Sequence, residues 1–255
     1  METKMETSKR ANSLDCLLVG GAIYSEVYFL GLQNKYGEYI LKREFENVKA
    51  LMELTRVVPS EEVIVKGYEA MLNERKKHNG RDVYLSYVKK LKDAVDYVPE
   101  DTIVGCYKEY IHNGLFDVGG KKGWLADFVK LKSITAVELS GEVKALIQKE
   151  YFKCLVDRNF ENFMILRQSD LCHPSPAVVQ AGYRVFAKRC AFRDFAELNS
   201  ISGIDPSEYI ARVVNREYLK HLRGGRIGLV RDFIKATRIE PSLEVRACFL
   251  EEFLS

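Results

Sequence analysis

Nowhere in its 255 residues does the chain carry a CxxC pair, an HExxH or a close His/Cys set with metal-ligand spacing, so no metal site is expected. The stretch "DVGGKKGW" lacks the G-x-x-x-x-G-K-[ST] spacing and has no Ser or Thr after its lysines for magnesium, which sets aside a phosphate loop. Four histidines (His78, His112, His173, His221) are scattered, and His173 beside Cys172 is adjacent only along the chain, which does not aim the two side chains at one another. Acidic pairs such as "SEE" and "EEF" fit helix starts and solvated faces better than paired catalytic carboxylates. With no catalytic constellation, a non-enzymatic chain without a cofactor is expected.

An excess of one charge is lacking too. The 39 Lys plus Arg against 36 Asp plus Glu leave +3, too little to argue for nucleic acid on charge alone. Long apolar runs are absent: "LDCLLVGGAIY" is apolar for about ten residues, where a spanning helix needs about 20. It follows Lys9 and Arg10 as a signal peptide would, but Asp15 interrupts the junction and no small-residue cleavage pattern stands out. The six cysteines (Cys16, Cys106, Cys154, Cys172, Cys190, Cys248) sit largely among apolar neighbours and read as reduced core thiols. A soluble, intracellular, cytoplasmic protein without a membrane segment is the expectation.

What is present is a repeat. "Apolar or Cys, any, Pro, Ser" occurs as "VVPS", "CHPS", "IDPS" and "IEPS", ending at Ser60, Ser175, Ser207 and Ser242. A tyrosine stands 24 residues before each Ser: Tyr36, Tyr151, Tyr183 and Tyr218. Apolar residues also recur 15, 12 and 9 before it, as in Phe160, Phe163 and Leu166, and steps of three in one class are a helical stripe. Two degenerate copies fill the gap, "VPED" anchored on Glu100 and "VELS" on Ser140. After each anchor comes a periodic stretch, helix A, whose start suits Ser as a cap, Pro as a first residue and acids against the dipole. The stripe before the next anchor is helix B.

The chain is therefore expected to be all-α, an α-solenoid of about six antiparallel helix pairs in units ending near 60, 100, 140, 175, 207 and 242, each pair burying its apolar face on its neighbours. Residues 1–24 form a tail and capping helix, 25–255 the repeat domain, and a closing helix the C-terminus. Units of about 35 residues with Pro before helix A, "GIDPS" and "RIEPS" among them, resemble the tetratricopeptide and pentatricopeptide superfamily; the resemblance implies a right-handed superhelix. "PSPAVVQAGYRVFAKRCAFRDFAELNSISGIDPS" is the unit most similar to a pentatricopeptide repeat. Helix A is three residues longer before Tyr151 and Tyr218 than before Tyr68 and Tyr183, which does not fit a base-by-base RNA code. Ankyrin repeats are a weaker match, for no "TPLH" occurs.

Two A-to-B connections are enlarged: "ERKKHNGRD" (74–82) and "NGLFDVGGKKGW" (113–124). Insertions map to loops on one edge of a stack, so these are expected to project together, offering Arg75, Lys76, Lys77, Arg81, Lys121 and Lys122 to an acidic partner and Trp124, the only Trp, as an aromatic anchor. Arg189, Arg223 and Arg226 extend that edge as binding residues, although cations at helix C-termini also suit the dipole without any ligand. Arg212, Arg216, Lys220 and Arg223 step along one helix as a basic stripe. The expected function is a scaffold or adaptor for a protein partner, with RNA binding as the alternative.

Overall fold

The computed structural model describes residues 22–74, 83–116 and 124–254, and among them all regular structure is helical. The chain divides into two compact units, one ending at Ser140 and the other starting at Gly141, within what the sequence reads as one repeat domain. That division falls on "VELS", the one junction of the six without a proline.

The first unit comprises α1 (Ala22–Lys42), α2 (Phe45–Thr55), α3 (Glu61–Glu74), α4 (Val83–Val95), α5 (Glu100–His112) and α6 (Leu125–Thr135). Odd helices pack on one another, α1 on α3 and α3 on α5, and even helices form a second layer, α2 on α4 and α4 on α6. The second unit repeats the scheme with α7 (Gly141–Val156), α8 (Phe160–Gln168), α9 (Pro176–Lys188), α10 (Phe192–Ser202), α11 (Glu208–Leu222), α12 (Ile227–Thr237) and α13 (Leu243–Leu254). There α7, α9, α11 and α13 pack in succession, with α10 on α12 behind them. Odd helices are the expected A helices and even ones the B helices. Of the B-helix stripe residues, only Leu51, Phe192 and Ile227 are less than fully buried.

The links between hairpins share one hydrogen-bonding scheme. Six A-helix tyrosines, Tyr36, Tyr68, Tyr107, Tyr151, Tyr183 and Tyr218, are wholly buried. Each hydroxyl donates to a carbonyl in the link to the next helix: Val57 (2.5 Å), Tyr97 (3.0 Å), Val137 (3.4 Å), Cys172 (2.9 Å), Ile204 (2.8 Å) and Ile239 (3.4 Å). All six carbonyls lie three residues before the anchor, at the degenerate junctions as at the regular ones. A buried hydroxyl must find such a partner or forfeit its hydration, so the shared carbonyl fixes how each B helix ends against its A helix.

Two further contacts complete four of the links. An amide side chain three residues before the tyrosine accepts from the anchor Ser N–H and donates to the carbonyl two residues before it. Gln33 does so for Ser60 and Val58, Gln148 for Ser175 and His173, Gln180 for Ser207 and Asp205, and Asn215 for Ser242 and Glu240. The anchor Ser then caps the following helix by accepting from Val63, Val178, Ile210 and Val245 N–H. Proline stands just outside that cap, as Pro59 before Ser60 does, rather than at the first helical residue; only Pro176 takes the latter place. In the two hairpins with enlarged connections the amide is replaced by Val65 and Val104.

Candidate binding groove on the second unit

Side chains turned away from the B layer are those roughly 100–180° round an A helix from its buried tyrosine. In the second unit this face collects Phe152 from α7, Arg184 and Lys188 from α9, and Tyr209, Arg212 and Arg216 from α11. Phe152, Gln180, Ala181, Arg184, Val185, Lys188, Tyr209 and Ile210 line a hollow of about 450 Å³ across three successive A helices. A smaller one of about 190 Å³, lined by Tyr209, Arg212, Val213 and Arg216, continues it along α11. The Arg184 guanidinium sits over the Tyr209 ring, 5.8 Å from its centroid.

Two aromatic rings are spent on this surface rather than in the core: Phe152 is 36% and Tyr209 48% exposed. Four cations and no carboxylate line the two hollows. Apolar floor, aromatic edges and cations of one sign suit an extended anionic ligand, because the rings supply area and the charges supply attraction.

The basic edge expected at the A-to-B turns is occupied differently. Arg75, Lys76, Lys77, Arg81, Lys121 and Lys122 lie outside the described residues. The other turn cations engage neighbouring hairpins: Arg43 pairs with Glu74 and covers the Tyr87 ring, Arg158 meets Asp194 at 3.2 Å, and Arg189 donates to the Val156 carbonyl at 3.3 Å. Arg223 approaches Glu244 at 3.7 Å, and Lys220 meets Glu217 at 3.5 Å, so of the stripe read on α11 only Arg212 and Arg216 line the groove. Arg226 is exposed.

Trp124 is half-buried at the start of α6, its ring 6.0 Å from Tyr110. Beside it, Tyr84 donates to buried Asp127 at 2.8 Å and lies 2.6 Å from the Tyr110 hydroxyl. Burial, then Tyr110 and Asp127, push the Tyr84 phenol far above its ordinary value, so it stays a neutral donor. The tryptophan packs over this polar knot.

Phe152 and Tyr209 were not separable from core aromatics by sequence; the signal lies in their distance from the register tyrosine. The fold also gathers Cys190, Glu217 and His221, a potential ligand set that spacing does not show. None of the five described cysteines forms a disulfide, and no described helix is long and apolar enough to cross a membrane. No protein-family model, curated protein or solved structure matches the chain.

Proposed function

We propose that this chain is a non-enzymatic scaffold of the α-solenoid kind, resembling the tetratricopeptide and pentatricopeptide superfamily, that grips an extended acidic segment of a protein partner on the A-helix face of its second unit. Six hairpins in right-handed succession are the arrangement proposed for the whole chain. The tyrosine-to-link hydrogen bond recurring six times, and the next-neighbour packing within each unit, support it. The observation that carries the functional reading is the groove lined by Arg184, Lys188, Arg212 and Arg216 between exposed Phe152 and Tyr209, without an opposing carboxylate.

A fluorescent Glu/Asp-rich peptide titrated into the full chain tests this. Saturable binding is expected, weakened roughly tenfold or more, about 1.4 kcal/mol, by Arg184→Ala combined with Tyr209→Ala. Unchanged affinity in that double variant refutes the groove as the site. A second reading, RNA, is favoured by the Arg184–Tyr209 pair, since stacked aromatics beside guanidinium groups also receive bases. Total cellular RNA retarded at low salt by the wild type and not by the variant, with a steep salt dependence, moves the assignment to RNA. Purification from cells, asking whether protein or nucleic acid accompanies the chain, gives the same discrimination independently.

A further inference from the structure

We infer that Cys190, Glu217 and His221 form a binding site for a zinc-class divalent cation, clipping the α9–α10 turn to α11. The three residues each present one ligand atom, and these atoms lie within 4.8 Å of one another. Cys190 Sγ is 2.8 Å from His221 Nε2. Around a tetrahedral metal with bonds of about 2.0–2.3 Å, ligand atoms sit roughly 3.3–3.8 Å apart, so small side-chain rotations would bring the set into register. Thiolate, imidazole and carboxylate together favour zinc and its stand-in cobalt over magnesium or calcium, which prefer all-oxygen sites.

Each residue departs from what its place in the hairpin otherwise holds. Cys190 is seven residues after its register tyrosine, where Arg43, Arg158 and Gly225 stand in the same left-handed turn (φ 64, 57 and 68°); its own φ of 52° carries strain that glycine would avoid. His221, three after Tyr218, takes a place held elsewhere by Tyr39, Met71, Tyr110, Cys154 and Phe186. It is 5% exposed, and its Nδ1 finds no hydrogen-bond partner. A buried imidazole nitrogen without a partner is costly and calls for an explanation, and the ring is held with its other nitrogen, Nε2, turned to Cys190. Glu217, immediately before Tyr218, faces the preceding hairpin, as Gly182 does before Tyr183. Glu217 and His221 are also four apart on one helix, which brings them to the same face.

Charge in the pocket is mixed. Lys220 and Arg226 are the cations facing the trio, and both oppose a metal; the Glu217 carboxylate offsets one of them. Burial pushes the Cys190 thiol up and the His221 imidazole down. The imidazole then offers its lone pair directly, while the thiol proton passes to solvent as the metal–sulfur bond forms, and water completes the coordination.

The test is titration of the metal-free full chain with cobalt(II), reading the thiolate-to-cobalt charge-transfer absorption and its displacement by zinc(II). A single saturating equivalent is expected, with the band lost in Cys190→Ser and the affinity reduced roughly tenfold or more in Glu217→Gln. Zinc should also raise the unfolding temperature of the wild type and leave that of Cys190→Ser unchanged. Far-ultraviolet dichroism verifies that each variant is folded; should the serine disturb the turn, Glu217→Gln and Cys190→Ala carry the same comparison. No charge-transfer band in the wild type overturns the proposal, and so does a band that persists in Cys190→Ser, which would belong to another cysteine.

Discussion

At the scale of single residues, two glycines inside A helices make opposite predictions from the same substitution. A Cβ at Gly105, in α5, would meet nothing within 4 Å, so Gly105→Ala removes backbone freedom from the unfolded chain at no steric cost. It should stabilise by about 0.5–1 kcal/mol. At Gly182, in α9, the same Cβ would sit 2.7 Å from Leu155 Cδ1 and 3.0 Å from Leu198 Cδ2. Both leucines are wholly buried and have nowhere to turn. Overpacking of about 1–3 kcal/mol should outweigh the helix gain, leaving Gly182→Ala net destabilised by about 1 kcal/mol. Urea unfolding with an unchanged slope reads both, and shifts of the same sign would contradict the packing described.

Between elements, the link is the unit of specification. In Tyr183→Phe the Ile204 carbonyl loses a buried donor at 2.8 Å, and about 1–2 kcal/mol of stability should go with it. Tyr209→Phe, on the exposed groove, should cost close to nothing, which makes the pair a control for ring chemistry. Equal costs in the two would remove the link hydrogen bond from the account of stability. Much of this level was legible in the chain: "IDPS" and "IEPS" mark real helix starts, and the three-step stripes are the buried faces of B helices even before Glu100 and Ser140, where the tyrosine stands 32 and 33 residues before the anchor instead of 24. What escaped was the partner of each group. Gln33, Gln148, Gln180 and Asn215 stand three before the tyrosine in four copies, a visible regularity, but the N–H each one holds is 27 residues away. Cys190 and His221, 31 apart, are equally distant along the chain. Only folding brings such groups together, so a search for ligands at short spacing passes over them.

For the molecule as a whole, the phenols of the six buried link tyrosines make alkaline pH the telling perturbation. Burial raises all six above the ordinary value of 10, Tyr107 and Tyr218 to about 12. A group whose folded pKa is raised contributes stability that is fully present below the unfolded value and lost as pH climbs toward the folded one. Stability should therefore fall between pH 10 and about 12, with the buried tyrosines ionising only as helix is lost. Parallel titration of tyrosinate absorbance and helical dichroism checks this; ionisation of all the tyrosines near pH 10 with helicity intact would contradict it. Charge at this scale was only partly readable. The modest +3 conceals a second unit whose A-helix face holds Arg184, Lys188, Arg212 and Arg216, and the net figure carries no information about such segregation.

The tyrosine that closes each hairpin is indifferent to how much chain it encloses. Its carbonyl lies 21 residues on in four hairpins and 29 or 30 on in the other two, yet always at the same place relative to the next helix. Frame and content are thereby separated: the bond inspects the end of helix B, never the connection in between. The stretch between a register tyrosine and its helix B can thus lengthen without disturbing the register, since closure entropy grows only slowly with the length of chain enclosed. New specificities can be written there while the tyrosines, the link carbonyls and the capping serines stay as they are.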